Sequence, residues 1–156
     1  MKKCLAALTV LFAVASAHAA LTIQSCSINS SSINFGVYNP LDPNPDDNNA
    51  GQIQISCTVN GNGAPVPVEV SLGVSGGTLT QRRLTNGSSF LNYNIYTNST
   101  FTTIWGDGTA GTSTQTGSIS RGGNSASWVL YGRIPAGQLS VAPGVFTDSV
   151  QVTLVW

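Results

Sequence analysis

The C-terminal stretch of the sequence, Phe146–Trp156, alternates apolar and polar side chains. Its apolar positions are Phe146, Val150, Val152, Leu154 and Trp156. Such period-2 alternation predicts a β-strand with one buried face and one solvated face. No turn signal and no further strand follow it in the sequence. Its main-chain groups and its apolar face therefore need cover, either from an earlier strand or from another molecule.

The N-terminal residues 1–19 are expected to be a secretory signal peptide, removed to leave a mature domain at residues 20–156. A basic start at Lys2–Lys3 precedes an apolar run, Leu5–Ala15, and the triplet Ala17–Ala19 supplies the small residues of a cleavage site. The apolar run is too short to anchor the chain in a bilayer, which takes about 20 residues. We therefore expect an exported protein that does not span the membrane.

The mature chain carries few charges and lacks the usual catalytic bases. The lysines and the histidine all lie in the expected signal peptide, which leaves four arginines against six acidic residues and a formal charge of −2. So few charges, with Arg82–Arg83 as the one basic pair, disfavour nucleic acid as a partner. Nucleophilic catalysis needs a base beside the nucleophile, whereas three of the six carboxylates lie in one Pro-rich loop and the other three are isolated in sequence. We therefore expect neither an enzyme nor a cofactor.

Two cysteines remain in the mature chain, Cys26 and Cys57. In an exported protein such a pair predicts one disulfide. A zinc site would need more thiol or imidazole ligands than the mature chain has. Closing this span is expected to stabilise the fold by about 3–4 kcal/mol, because the unfolded chain loses conformational freedom.

Short alternating segments recur along the mature chain, separated by turns rich in Gly and Asn, and no helical period is present. The segments are Ile33–Val37, Ile53–Val59, Val66–Leu72, Leu91–Tyr96 and Trp128–Pro135. The stretch Asn39–Gly51 is rich in Pro, Asp and Asn and predicts a loop. Many short strands with frequent turns favour an all-β fold, specifically an Ig-like β-sandwich.

The stretch Asp42–Asn48 places acidic and amide side chains at alternate positions, as a calcium-binding loop does. An EF-hand loop also needs Gly at its sixth position and Glu at its twelfth, where this chain has Asp47 and Ile53. Because that match fails, no metal site is predicted. An ordinary polar loop is the favoured interpretation, and a different calcium geometry is the alternative.

Aromatic side chains suggest a second possible function. Trp105, Trp128, Tyr93 and Tyr131 would suit a sugar-binding platform, although core packing is the favoured interpretation for such residues. Tyr93 shares the apolar parity of its strand, whereas Trp105 precedes a Gly-Asp-Gly turn and is the best candidate for an exposed aromatic. A self-contained secreted β-sandwich that binds carbohydrate is therefore the alternative function.

Short motifs follow one another in a specific order along the mature chain. They are Asn34–Tyr38 (NFGVY), Ile55–Thr58 (ISCT), Arg82–Leu84 (RRL), Leu91–Tyr96 (LNYNIY), Trp105–Gly106 (WG), Tyr131–Pro135 (YGRIP) and Asp148–Val152 (DSVQV). Each motif is weak alone, but their order and spacing together are specific. In this arrangement the chain resembles the spore coat protein U-like domain, the secreted pilin of archaic chaperone–usher pili in Gram-negative bacteria.

The resemblance implies an incomplete Ig-like sandwich that lacks its final strand and is completed by a donor strand from a partner, a form of β-strand addition. It implies a structural or adhesive pilus subunit with roles in cell adhesion and biofilms. The implied partners are a periplasmic chaperone, an outer-membrane usher and neighbouring pilus subunits, and the implied location is the cell surface. On this interpretation Phe146, Val150, Val152, Leu154 and Trp156 line the groove that accepts the donor strand.

The sequence departs from the rod-forming pilins of that family in the residues before Cys26, the first cysteine of the expected mature chain. A donor segment needs about eight to ten residues to reach several pockets. Only Ala20–Ser25 lie between the expected cleavage site and Cys26, with Leu21 and Ile23 as apolar anchors. We therefore hypothesise that this subunit accepts a donor strand but donates one poorly or not at all. That behaviour suits a tip or terminal subunit, or a surface-coat protein that does not polymerise by this route.

Overall fold

The computed structural model describes residues 20–156, which form nine β-strands and no helix. The strands are β1 (Thr22–Ser31), β2 (Asp46–Asn60), β3 (Val66–Leu72), β4 (Gly77–Thr78), β5 (Gln81–Thr85), β6 (Phe90–Tyr96), β7 (Gln115–Ile119), β8 (Ser125–Ile134) and β9 (Val152–Val155). The expected signal peptide, residues 1–19, lies outside the described residues. Within the described part of the chain, no helix is long and apolar enough to cross a membrane.

The strands form two antiparallel sheets that share one apolar core. The larger sheet has six strands in the order β1-β2-β8-β6-β5-β4, and the smaller has three in the order β7-β3-β9. Strands adjacent in sequence, such as β1 and β2 or β5 and β6, pair directly, whereas β2 pairs with the distant β8. The predicted all-β sandwich is confirmed.

The core lies between the inward faces of the two sheets. Ile53 of β2 faces Val70 and Leu72 of β3, and all three are at most 1 % exposed. Burying one such side chain stabilises the fold by about 1.5–3 kcal/mol. The buried core residues fall into two clusters. Trp128 and Leu154 pack against both clusters and so join them into one interior.

The edge strand β1 is attached to β2 both by main-chain pairing and by a disulfide. Cys26 and Cys57 face each other in the antiparallel register and are bonded, with their Cα atoms 4.0 Å apart. In the described structure β1 pairs with no strand other than β2. The disulfide therefore fastens an edge strand that has a hydrogen-bonded neighbour on one side only.

The chain that follows β1 packs onto the larger sheet at two glycines. A Cβ atom on Gly132 would meet the ring of Phe35 at 2.7 Å, and one on Gly51 would meet Ile33 at 2.6 Å. Real Cβ atoms do not approach other atoms so closely. Glycine at these strand positions therefore allows Ile33 and Phe35 to lie directly against the sheet.

The predicted loop Asn39–Gly51 is shorter than expected, because β2 already begins at Asp46. This first part of β2 pairs with the end of β8. Asp47 strengthens the pairing by accepting two hydrogen bonds from Arg133, at 2.6 and 2.7 Å. Local composition indicated a loop, but cross-strand pairing outweighs local preference in a sheet.

The predicted strand Phe146–Trp156 is regular only in its second half. Thr147 forms an isolated bridge with Thr85 of β5, whereas Val152–Val155 form β9 beside β3. The stretch therefore crosses from the larger sheet to the smaller one. Side-chain alternation does not record such a change of partner, so the sequence predicted one uninterrupted strand.

Trp105, the best sequence candidate for an exposed aromatic, is completely buried. Its indole Nε1 donates a hydrogen bond to the main-chain carbonyl of Val70 at 3.0 Å. Tyr93 is also buried, at 5 % exposure. Both residues belong to the core, so neither can form a sugar-binding platform on the surface.

We predict that the double variant Cys26→Ser/Cys57→Ser loses about 3–4 kcal/mol of unfolding free energy, because its unfolded chain regains the freedom that the disulfide removes. Urea unfolding of the mature exported chain measures this loss. The control is Asn29→Ser/Gln54→Ser, an exposed cross-strand pair in the same β1–β2 ladder. Equal stability of the cysteine variant and the wild type would contradict the prediction.

Candidate interaction groove

An apolar groove opens between the segment that follows β1 and the final segment of the chain. One wall is formed by the end of β1 and the residues after it, Ser30–Ile33 and Phe35, and the other by Asp148, Val150 and Val152, around a cavity of 180 Å³. The floor is formed by inward-facing residues of both sheets, chiefly Ile53, Leu72, Tyr93, Ile95 and Leu130. The groove therefore reaches down to the core between the two sheets, where these floor residues are at most 8 % exposed.

Both walls present main-chain groups that have no strand partner in the described part of the chain. β9 pairs with β3 alone, so its other edge is open. Across the groove, residues 33–38 belong to no strand and form no main-chain hydrogen bond with another main-chain group among the described residues. Unpaired edges beside an apolar floor are the features that favour the addition of a strand.

The residues predicted to line a groove share one segment but not one pocket. Val150 and Val152 line the cavity, whereas Phe146 and Leu154 are half-buried and pack against the core beside it. Trp156 follows β9 and is 54 % exposed. Of the five residues predicted to line the groove, therefore, only Val150 and Val152 line this cavity.

Asp148 lines the groove but was not among the residues predicted from the sequence to do so. Its Oδ2 accepts a hydrogen bond from the Tyr93 hydroxyl at 2.7 Å, and its Oδ1 accepts one from the Ser75 hydroxyl. These bonds attach the wall of the groove to β6 and to the loop after β3. One sequence feature could have indicated it: Asp148 is a carboxylate at one of the alternate, otherwise apolar positions of the Phe146–Trp156 stretch.

Behind the groove, the buried guanidinium of Arg82 joins several segments of the chain. It donates to the main-chain carbonyls of Leu72, Gly73 and Trp105 at 3.3, 3.1 and 3.0 Å, and to Oδ1 of Asn94 at 2.6 Å. Burial lowers the pKa of Arg82, because a low-dielectric interior disfavours the charged form. Carbonyl dipoles thus stabilise this cation and hold β3, β5 and β6 together, a role that the sequence analysis missed.

Comparison with protein families identifies the chain. The family model described as the Spore Coat Protein U domain matches residues 8–153. The chain belongs to this family. The resemblance that the ordered motifs indicated is therefore confirmed for nearly the whole sequence. No curated protein sequence matches the chain.

A solved structure resembles this Spore Coat Protein U domain. The matching chain comes from the crystal structure of the CsuC–CsuE chaperone–tip adhesion subunit pre-assembly complex, from archaic chaperone–usher Csu pili of Acinetobacter baumannii. The two chains are 26 % identical, with a TM-score of 0.56 over 85 % of this chain. This protein spans 39 % of that chain, which is less than half of its length.

Among the described residues of the Spore Coat Protein U domain, no three His, Cys, Asp or Glu side chains lie close enough together to hold a metal ion. Asp42 accepts hydrogen bonds from the amide and the side chain of Asn44, at 2.9 and 3.0 Å. Asp47 is engaged by Arg133. These two acidic side chains are therefore occupied by partners from the chain itself.

Tyr93, whose hydroxyl bonds the groove residue Asp148, makes the stability of the fold depend on pH in the alkaline range. Burial raises the pKa of its phenol well above the ordinary value near 10, and the hydrogen bond to Asp148 raises it further. Above about pH 10 the unfolded chain releases this proton while the folded chain keeps it. Stability that is fully present below that pH is therefore lost as the pH rises above it.

We predict that Tyr93→Phe lowers the unfolding free energy at neutral pH by about 1.5–3 kcal/mol, because a hydrogen bond to a charged group is lost. The variant should also lose less stability than the wild type above about pH 10, because the titrating phenol is gone. Urea unfolding at neutral and alkaline pH measures both effects. Tyr131→Phe is the control, since Tyr131 is half-exposed, and a Tyr93→Phe variant that matches the wild type at both pH values would refute the prediction.

Proposed function

We propose that this protein is a structural or adhesive subunit of a chaperone–usher surface pilus, assembled by donor-strand complementation. The observation that carries the proposal is the apolar groove between the open edge of β9 and the strandless residues 33–38. Membership of the Spore Coat Protein U domain family supports it. The similarity to a chain from a chaperone–tip adhesion subunit complex supports it as well.

A donor strand fits this groove for a physical reason. Its main chain would pair with the open edge of β9, and its alternate side chains would enter the space between the two walls. Such a strand would extend the smaller sheet and fill the groove above the buried floor residues. The residues proposed to line the complete acceptor site are Phe146, Val150, Val152, Leu154 and Trp156, with Ile33 and Phe35 on the opposite wall.

The proposed partners follow from the need to cover the groove at every stage. An open strand edge beside an apolar floor promotes aggregation, so a periplasmic chaperone would occupy it after export. An outer-membrane usher and a neighbouring subunit would then replace the chaperone. The proposed location is therefore the cell surface, and the proposed role is assembly or adhesion and not catalysis.

The segment before Cys26 supports a tip or terminal position in the pilus. Leu21 is buried at 6 % exposure, and Thr22 already pairs with Asn60 at the start of the β1–β2 ladder. Residues 20–25 are therefore part of this fold and are not free to enter the groove of a neighbour. We propose that the subunit accepts a donor strand and donates none from these residues.

A self-contained β-sandwich that binds carbohydrate is the alternative function. It would require another part of the chain to cover the open edge of β9, which the described residues leave unpaired. In addition, Trp105, the best sequence candidate for a sugar-binding surface, is buried in the core. These observations favour the pilus subunit as the primary function.

We predict that a synthetic peptide with alternating apolar residues stabilises the mature exported chain. At a peptide concentration 100 times its Kd, binding to the folded state alone raises the unfolding free energy by about 2.7 kcal/mol. Thermal unfolding with and without peptide measures the effect. An unchanged melting temperature at saturating peptide would show that the sandwich closes itself, and the proposal would fail.

A matched pair of variants locates the peptide on the chain. Val152→Asp should abolish most of the stabilisation, because it places a carboxylate in the apolar wall of the groove. Val145→Asp should leave the stabilisation intact, because Val145 is 84 % exposed and lies outside the groove. Equal peptide effects in the two variants would place the binding site elsewhere.

We predict that the mature chain does not form long rods by itself, because its N-terminal residues are committed to β1. Fusing a segment of about ten alternating apolar residues before Ala20 should allow head-to-tail polymers, since each copy then carries a donor for the next groove. Electron microscopy and size-exclusion chromatography measure the outcome. Rods formed by the unmodified chain through residues 20–25 would rule out the terminal position.

A further inference from the structure

A second cavity, of 250 Å³, opens at the opposite face of the larger sheet from the groove. It is lined by Asp47, Asn48, Asn49, Ser99, Phe101 and Tyr131. On β8, Tyr131 alternates with the buried Leu130 and Gly132, so its side chain lies on the face away from the core. The cavity is therefore separate from the core and from the groove.

A β-bulge and a short loop build this cavity. The bulge in β2 that follows Asn48 sets Asn49 at the cavity, and bulges are a common means of redirecting side chains near sites. The loop after β6 is held by Asn98, whose Oδ1 accepts the Thr102 amide at 3.1 Å. Within this loop Phe101 adopts a left-handed backbone conformation with φ of 53°, which is rare for a bulky residue.

The ring of Phe101 and the charges beside it have fixed positions. Tyr96 meets this ring edge-on with centroids 5.5 Å apart, and the guanidinium carbon of Arg133 lies 3.9 Å from its centroid. Arg133 also donates to both carboxylate oxygens of Asp47. Because this cation and this anion neutralise each other, the wall is polar but carries no net charge, which favours an uncharged ligand.

Several polar side chains that line this second cavity are accessible for hydrogen bonds with a ligand. The side chains of Asn49 and Ser99 are exposed and that of Tyr131 is half-exposed, so their polar atoms are accessible to a ligand. An amide and hydroxyls each donate and accept, and the two aromatic rings add apolar surface. A sugar ring presents matching chemistry, with an apolar C–H face and an edge of hydroxyl groups. The volume lies below the roughly 300–1,000 Å³ of drug-sized sites, which suits a single ring.

We propose that this cavity binds a neutral saccharide ring, with Tyr131 in contact with the sugar face and with Asn49 and Ser99 bonded to its hydroxyl groups. Because the cavity and the groove lie on opposite faces of the sheet, a strand in the groove leaves the cavity open. The saccharide site therefore does not rest on the proposed pilus function, and a pilus subunit that carries it would have an adhesive surface.

Saturation-transfer difference NMR on the exported chain, with and without the donor peptide, tests the site. The probes are methyl glycosides of glucose, galactose, mannose and N-acetylglucosamine, with glucuronic acid and glucosamine as charged comparisons. We expect at least one neutral glycoside to receive saturation on its ring C–H protons. Its Kd should rise about tenfold in Tyr131→Ala, because the aromatic contact is lost, and several-fold in Asn49→Ala.

The control is Phe90→Ala. Phe90 is 59 % exposed and carries the guanidinium of Arg83 5.6 Å from its ring centroid, so it repeats the arginine–aromatic pair without lining the cavity. This variant should bind as the wild type does. The proposal is overturned if no neutral glycoside receives saturation, if only charged sugars do, or if Tyr131→Ala binds with unchanged affinity. Should Tyr131→Ala not fold, the exposed bulge variant Asn49→Ala decides the question by the same criterion.

Discussion

The smaller sheet does not cover the larger one, and the rest of the architecture depends on this mismatch. Three strands, β7, β3 and β9, face six, and an apolar sheet face needs a second layer to exclude water. Ile33 and Phe35 provide part of the missing second layer, because they lie directly on the glycines of β2 and β8. The remaining gap is the groove beside β9, where one more strand would complete the layer.

Polar contacts prepare the walls of that groove before any strand arrives. Tyr93 and Ser75 hold Asp148 on one side, and behind it Arg82 bonds the C-terminal end of β3 and the main chain of Trp105. A site whose walls are already ordered loses less conformational entropy when a partner binds. The Asp148 wall and the residues behind it are therefore ordered, which suits the proposed addition of a complete strand.

The two proposed binding sites share β8 and are separated by its pleat. Leu130 contributes to the floor of the groove, and the adjacent Tyr131 lines the polar cavity on the other face. Because successive side chains of a strand point to opposite faces, a single strand serves both sites without mixing apolar and polar chemistry. Assembly and adhesion would then use different faces of one sheet.

The sequence by itself determined the all-β class, the Cys26–Cys57 disulfide and the family, because alternation, cysteine count and motif order can be read from the linear sequence without knowledge of spatial contacts. Only the tertiary structure decided where the Phe146–Trp156 stretch changes sheets and why Trp105 is buried. It alone revealed that Arg82 is stabilised by carbonyl groups and that Tyr131 lines a cavity. Each of these features depends on contacts between segments far apart in sequence, and such contacts outweigh local preference in a sheet.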